Sequence, residues 1–213
     1  MASSPLLAVE DEGRLNDAGL REAFVERVFA AARLRSLLSL LSGGPRDLVE
    51  FLVEFHARHK LQLLAHDPAR YRSLGRMVAA GGSLADYGEL FLAALSVRAT
   101  PGRNANALLH AYSRIGPALA APRRADLVAR IDAYRRGEVP LSVPVALLAH
   151  YASGGDLPWL ASQTFLAPYP AELRLRHAVL WPDRVASWWA TMRTSSSQAR
   201  ARPLPSWGCW SSP

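Results

Sequence analysis

Three polar side chains, Arg103, Asn106 and His110, follow one another at spacings of three and four residues. On an α-helix, this spacing places all three on one face. The pattern therefore predicts a helix that packs one side on a core and presents hydrogen-bonding groups on the other. The apolar residues assigned to the core side are Leu108, Leu109, Tyr112, Ile115 and Leu119.

A second pair of cations, Arg135 and Arg136, comes directly before Gly137, a residue type that commonly ends a helix. Between residues 98 and 136, the chain has eight arginines and two acidic residues. Guanidinium groups bind phosphate through paired N–H donors, and an Asn amide can hydrogen-bond to the edge of a base. The local excess of positive charge therefore favours contact with a polyanion.

Two structural alternatives account for the same residues. The chain has 24 arginines and one lysine, a bias that a GC-rich genome produces whatever the protein does. The arginines could then cover an ordinary solvated helix face. The polar stripe could also tie helices together inside the protein, for example through Glu172 or Asp132.

The histidines were considered as metal ligands. His56 and His59 are three residues apart, and His66 follows His59 by one heptad, so one helix could present them to a metal. Further ligands are not evident, and His59 falls on an apolar stripe, so we expect no metal site.

Catalytic motifs are absent from the sequence. Cys209 is the single cysteine, which excludes an internal disulfide and an iron–sulfur cluster held by cysteines of this chain. No nucleophile stands at a recognisable spacing from a base, and there is no glycine-rich phosphate loop. We therefore expect no catalytic residue, no cofactor and no activity in this chain alone.

Helical periodicity and capping residues recur along the chain as far as about residue 177. The second predicted helix runs without interruption from Pro45 through Leu63, and no segment alternates as a strand does. The sequence predicts an all-α fold, a single bundle of seven to eight helices, followed by a disordered Trp-, Ser-, Arg- and Pro-rich tail. The predicted helix starts are Asn16-Asp17, Pro45, Asp67-Pro68, Ser83, Asn106, Pro122, Ser142 with Pro144, and Asp156 with Pro158.

Length and composition set the broad class. The 213 residues are half apolar, enough for one core. No apolar run is long enough for a membrane span, and no leader pattern is evident at the start. With a single cysteine, the expected location is the cytoplasm.

Seven blocks of residues stand in a fixed order between Leu48 and Arg176. The blocks are Val53–Lys60, Arg103 with Asn106 and His110, Tyr134–Gly137, Pro140-Leu141 with Pro144, Gln163–Leu166, Pro168–Pro170 and Leu173–Arg176. In this order they resemble the YbgA-like domain of unknown function. Residues 9–29 also look like the junction that joins this domain to an upstream desulfidase-like domain. The upstream part of such two-domain proteins is similar to thiouracil desulfidases and holds a four-iron four-sulfur cluster on cysteines.

The resemblance implies a function as well as a fold. Full-length members are implicated in removing sulfur from 4-thiouridine in tRNA, with the YbgA-like part proposed to hold the RNA. This chain has none of the upstream cysteines, so the resemblance implies an accessory tRNA-binding module that is not catalytic alone, with no reading of DNA sequence and no membrane partner. The chain departs from the family pattern at Ala167, where Asn is usual, and after His177.

The implied domains are a linker and docking helix over 1–42, the YbgA-like helical domain over 43–177, and a disordered tail over 178–213. Tyr169, between two prolines, is either a stacking platform for an unpaired base or a turn residue that packs on the bundle. The residues expected to contact RNA are Arg103, Asn106, His110, Arg135, Arg136, Gln163, Tyr169 and Arg176.

A function of another class is also open at this point. The chain could be a protein-interaction bundle that docks onto a separately encoded desulfidase or DNA-repair enzyme. The segment from Leu20 to Leu41, with a predicted stripe of Leu20, Phe24 and Val28, would then be the docking helix. This alternative requires an exposed apolar face on that helix.

Overall fold

The computed structural model describes residues 8–40, 45–154 and 157–177. These ranges contain helices and no strand, which confirms the all-α prediction. Eight of the nine α-helices that they contain have seven or more residues, in line with the seven to eight expected. The predicted tail, 178–213, lies outside the described residues. The helices are α1 (Ala18–Leu40), α2 (Pro45–Arg58), α3 (Lys60–His66), α4 (Pro68–Ala79), α5 (Leu84–Leu95), α6 (Pro101–Ile115), α7 (Ala121–Arg135), α8 (Ser142–Gly154) and α9 (Pro158–Ala161).

Side-chain caps fix several helix starts where the sequence predicts them. Asp17 accepts a hydrogen bond from the backbone N–H of Leu20 at 2.8 Å, and Asp67 caps α4 by accepting from two backbone N–H groups. Ser83 caps α5 in the same way. Such caps satisfy N–H groups that have no partner within the helix.

The start of α6 differs from the prediction. The predicted start is Asn106, but the helix begins five residues earlier, with Pro101 in its first turn. The Thr100 hydroxyl caps that turn by accepting from the N–H of Arg103 at 3.3 Å. Proline is tolerated there because its missing N–H would have no helical partner.

The interior of the bundle consists of two clusters of buried apolar side chains, and α3 contributes to both. Leu61, Leu64 and Ala65 pack with α6, α7 and α8, whereas Leu63 packs with α1, α2, α4 and α5. Of the seven residues in α3, six are buried. This short helix is therefore the common centre of the two clusters.

The first helix belongs to the core. Its buried residues Ala30, Leu34 and Leu37 pack in the same cluster as Phe55 and Phe91. The predicted stripe is displaced from this face, because Leu20 and Phe24 are only partly buried and Val28 is 36% exposed. The buried face of α1 is therefore part of the core of the bundle.

The predicted continuous helix from Pro45 through Leu63 is wrong, because the chain breaks at His59 between α2 and α3. The side-chain amide of Gln163 enters the break: its Nε2 donates to the Ala57 carbonyl at 2.9 Å, and its Oε1 accepts from the Leu61 N–H at 3.3 Å. Ala57 and Leu61 are four residues apart and would be bonded to each other in an unbroken helix. Thr164 completes the break, since its backbone N–H donates to the Arg58 carbonyl at 3.0 Å.

None of the helices in the described ranges is both long and apolar enough to cross a membrane.

Replacement of Gln163 by leucine tests the role of this insertion. Gln163→Leu keeps most of the side-chain volume but leaves the Ala57 carbonyl and the Leu61 N–H without their partner. We expect the free energy of unfolding to fall by about 2–4 kcal/mol, since each unsatisfied buried group costs roughly 1–3 kcal/mol. Urea unfolding followed by circular dichroism measures the change.

The neighbouring Ser162→Ala is the matched control, because Ser162 is exposed and its hydroxyl donates to the Trp159 carbonyl at 2.8 Å. Its effect should stay within about 0.5 kcal/mol. Equal stabilities of the Gln163 and Ser162 variants would contradict a structural role for the inserted amide.

Candidate functional site

The predicted polar stripe lies on α6, and its members are not equally accessible. Asn106 and His110 are exposed. Arg103 is half-buried and donates from Nη1 to the carbonyl of His66 at 2.8 Å, so it closes the C-terminal end of α3. The stripe therefore presents an amide and an imidazole to solvent, while its arginine holds two helices together.

The core side of α6 also differs from the prediction. Leu108 and Ile115 are buried as expected, whereas Leu109 is exposed. Asn104, which lies outside the predicted stripe, is buried and donates from Nδ2 to the Tyr134 hydroxyl at 2.8 Å. This bond places the first turns of α6 beside the last turn of α7.

Arg135 and Arg136 are exposed at that end of α7. Arg135 lies 3.2 Å from Asp132, and Arg136 makes two bonds to Glu138, at 2.6 and 2.9 Å. Ion pairs between solvent-exposed side chains contribute little, so these contacts leave both guanidinium groups able to exchange partners.

An aromatic residue with two cationic neighbours adjoins the exposed face of α6. The ring centroid of Trp159, on α9, lies 5.6 Å from the guanidinium carbon of Arg114 and 5.9 Å from Nζ of Lys60. Arg114 follows His110 by one helical turn. Sequence reasoning missed this group because its three members come from α3, α6 and α9 and share no local pattern.

Three of the residues expected to contact RNA are internal. Gln163 is inserted into the helix break. The Tyr169 hydroxyl donates to Glu22 at 2.9 Å, and Arg176 donates from Nε to the same carboxylate at 3.1 Å and from Nη1 to the Phe165 carbonyl. All three side chains are buried, so they organise the fold and offer no surface for a ligand. For Tyr169, the alternative of a turn residue packed on the bundle describes the structure.

A buried polar network surrounds these residues. Glu26 on α1 accepts from Gln62 at 2.8 Å, lies 3.4 Å from Nε2 of His66, and has Arg176 at 3.8 Å. Gln62 in turn accepts from the hydroxyl of Thr164 at 2.9 Å. The intramolecular alternative concerned the stripe on α6 and named Glu172 and Asp132, whereas this network is built on Glu22 and Glu26 of α1.

The charges of the network support one another. Burial alone would raise the pKa of Glu26, but the cations His66 and Arg176 outweigh it and hold that pKa at about 2. Burial alone would lower the pKa of His66, whereas the Glu26 carboxylate and the Val97 carbonyl outweigh it and raise that pKa. At neutral pH, the pair is therefore a carboxylate facing a readily protonated imidazole.

A small cavity of about 40 Å³ borders the network. Glu22, Asn104 and Tyr134 line it with polar atoms, and burial raises the pKa of Glu22. The volume has room for a few water molecules. A space of that size does not accommodate a base, so the cavity does not serve as a nucleotide pocket.

His56 and His59, the two weak candidates for metal ligands, each make a contact through Nδ1 inside the bundle. Nδ1 of His56 lies 3.1 Å from the Tyr87 hydroxyl, and its ring stacks on Tyr71. Nδ1 of His59 lies 2.7 Å from the Phe55 carbonyl. Within the described ranges, no three His, Cys, Asp or Glu side chains come together as metal ligands.

Comparison with known proteins identifies the family. A family model described as a protein of unknown function, DUF1722, matches residues 60–170, just over half of the chain. The chain belongs to the DUF1722 family. The Escherichia coli (strain K12) protein named Uncharacterized protein YbgA is 35% identical over 134 residues, which span 60% of this chain and 79% of that protein. The YbgA-like resemblance is thereby confirmed, and no solved structure matches the chain.

The DUF1722 match includes α3, α6, α7 and the Gln163 insertion, but it begins after α1 and ends before Arg176. Glu22 and Glu26, the carboxylates of the buried network, therefore come from a helix outside the matched range. In this chain, the matched segment depends on α1 to neutralise His66.

The His66–Glu26 pair predicts a pH dependence of stability. The folded-state pKa of His66 lies above the usual 6.5, so its contribution is fully present below pH 6.5 and is lost as the pH rises through the folded value. The contribution of Glu26 is present above pH 4.5 and is lost as the pH falls towards about 2. We expect the difference in unfolding free energy between the wild type and His66→Gln to shrink as the pH rises above 6.5.

Urea unfolding at a series of values from roughly pH 5 to 9 measures this difference. His110→Gln is the matched control, since it makes the same substitution at an exposed position on α6, outside the buried network. A His66→Gln difference that stays constant across the series would contradict the ion pair.

Proposed function

We propose that this protein is an RNA-binding helical module, with tRNA as the expected ligand, and that it has no catalytic activity of its own. The observation that carries the proposal is Trp159 with its two cationic neighbours, Lys60 and Arg114, since Arg114 lies one helical turn after the exposed His110 on α6. Sites for unpaired nucleic acid combine an aromatic surface for stacking with cations that neutralise the backbone. The exposed Arg135 and Arg136 extend the positive surface along α7.

The proposed RNA surface contains fewer of the predicted contact residues than the sequence suggests. Arg135 and Arg136 would contact phosphates, whereas Asn106 and His110 offer hydrogen bonds to a base or a ribose. Arg103 supports this surface from inside, through its bond to α3. Gln163, Tyr169 and Arg176 hold the fold and take no part in direct contact.

Association with a desulfidase remains part of this proposal through the family resemblance alone. The rival function, a bundle that docks through α1, has less support. The buried face of α1, with Ala30, Leu34 and Leu37, is packed in the core and is not open to a partner. Of the predicted docking stripe, Leu20 and Phe24 are partly buried and Val28 is 36% exposed, which leaves only a small apolar surface on α1.

The dependence of binding on salt tests the phosphate contacts. Binding of total tRNA in a gel-shift titration should weaken linearly on a plot of log affinity against log salt concentration. Arg114→Gln and Arg136→Gln should each weaken binding and reduce the slope by about one, as expected when one phosphate contact is lost.

Arg72→Gln is the matched control for this titration, because it removes the same charge from an exposed position on α4. Absence of binding at low salt, or an equal loss in the Arg72 variant, would count against the α6–α7 surface.

The stacking role of Trp159 has a separate test with single-stranded RNA. Trp159→Ala should lower the affinity by roughly 1–3 kcal/mol for one stacked base, whereas Trp159→Phe should retain most of it. Fluorescence anisotropy of a labelled oligonucleotide measures the change, and thermal unfolding confirms that both variants are folded. Wild-type affinity in folded Trp159→Ala would rule out stacking at this position.

A further inference from the structure

A cleft lined by polar side chains with unsatisfied atoms lies between α1 and α2, and none of its residues belongs to the proposed RNA surface. Its volume is about 560 Å³, within the range of small-molecule sites. Its apolar lining includes three aromatic rings, those of Phe29, Phe51 and Phe55. Its polar lining includes Arg33 and His59, two residues with buried atoms that have no hydrogen-bond partner in the described part of the chain.

Arg33 is held in place by one side of its guanidinium group. Nη2 donates to the Pro168 carbonyl at 2.6 Å, while Nη1 is buried and has no acceptor among the described residues. Burial lowers the pKa of Arg33, and although Glu26 opposes this shift, the nearby cation Arg58 adds to it. Two like charges that converge on one cleft favour an anion between them.

Arg58 also lines the cleft and is exposed. It pairs with Glu54, which also lines the cleft, at 3.9 Å, and both side chains are about half exposed or more. Such a pair is weak. Arg58 is therefore available to an anion that enters the cleft.

His59 supplies the complementary group, an acceptor. Its Nδ1 lies 2.7 Å from the Phe55 carbonyl, which can only accept, so Nδ1 carries the proton and Nε2 has a free lone pair. Burial lowers the pKa of His59 to about 3, which keeps the ring neutral. The side chain is only 2% exposed, and Nε2 has no donor among the described residues. Buried polar atoms of this kind usually have a partner.

We propose that the cleft between α1 and α2 binds a small aromatic carboxylate that carries a phenol or a ring N–H. The carboxylate pairs with Arg33 and Arg58, and the phenol or ring N–H donates to Nε2 of His59. The aromatic ring packs among the phenylalanine side chains, where it removes apolar surface from water. None of these residues belongs to the proposed RNA surface, so this site does not depend on that function.

Three probes separate the parts of this recognition. 4-Hydroxyphenylacetate has the ring, the carboxylate and the donor, phenylacetate lacks the donor, and tyramine replaces the carboxylate by an ammonium group. Calorimetric titration of the full chain should show saturable binding of 4-hydroxyphenylacetate, with phenylacetate and tyramine each about tenfold weaker or worse, as the loss of one hydrogen bond to a buried or charged group predicts.

Two variants test whether 4-hydroxyphenylacetate binds in this cleft. Arg58→Gln should weaken 4-hydroxyphenylacetate about tenfold, and Arg72→Gln on α4 should leave its affinity unchanged. Neither variant needs to disturb the core, because both side chains are exposed. In ¹⁵N spectra of the histidine rings, the hydroxylated probe should shift the Nε2 signal of His59, whereas phenylacetate should not.

The proposal is overturned if 4-hydroxyphenylacetate does not bind saturably, or if the three probes bind equally, since equal binding indicates apolar burial alone. It is also overturned if binding survives Arg58→Gln unchanged and leaves the His59 signal in place. Loss of tRNA binding in the Arg136 variant with retained binding of the acid would show that the two functions are separate.

Discussion

One hydrogen-bonding exchange governs this fold: the Gln163 amide takes the place of a backbone bond between Ala57 and Leu61. The exchange ends α2 and lets the chain start α3 as a separate short helix. Because of the break, α3 can lie between both apolar clusters and bury six of its seven residues. The same amide also donates to the Trp159 carbonyl at 3.3 Å, so the break and α9 are held together. The Gln163 amide therefore helps to position both Trp159 of the proposed RNA surface and the end of α2 that lines the cleft.

Burial of α3 has an electrostatic consequence. Gln62 and His66 enter the interior with the apolar residues of the helix, and a buried polar group is costly unless it is bonded. Glu26 on α1 and Arg176 near the end of the described chain supply the partners. Buried ion pairs of this kind add little net stability compared with an apolar core, but loss of one partner leaves the other charge uncompensated. The network thus makes α1 and the segment around Arg176 obligatory parts of the bundle.

Local patterns predicted local structure well. Asp17, Asp67 and Ser83 are capping residues at the expected positions, and Gly137 ends α7 with a positive φ of 78°. The predictions that failed concerned features that depend on residues far apart in the sequence. Periodicity cannot reveal a helix break that a side chain a hundred positions away stabilises, and it cannot show that an arginine is buried, as Arg176 is. The Trp159 group was missed for the same reason, whereas exposed Asn106 and His110 were predicted from α6 alone.

The position of Gln163 along the chain also bears on how the protein is made. Its bond to Leu61 spans 102 residues, so the centre of the bundle cannot be completed until most of the polypeptide has left the ribosome. Until then, the carbonyl and amide groups at the break must be solvated, and the flanking apolar surfaces remain partly open. Contacts between residues so far apart in sequence slow folding. Apolar surface that stays open during synthesis is the kind of surface that chaperones protect from aggregation.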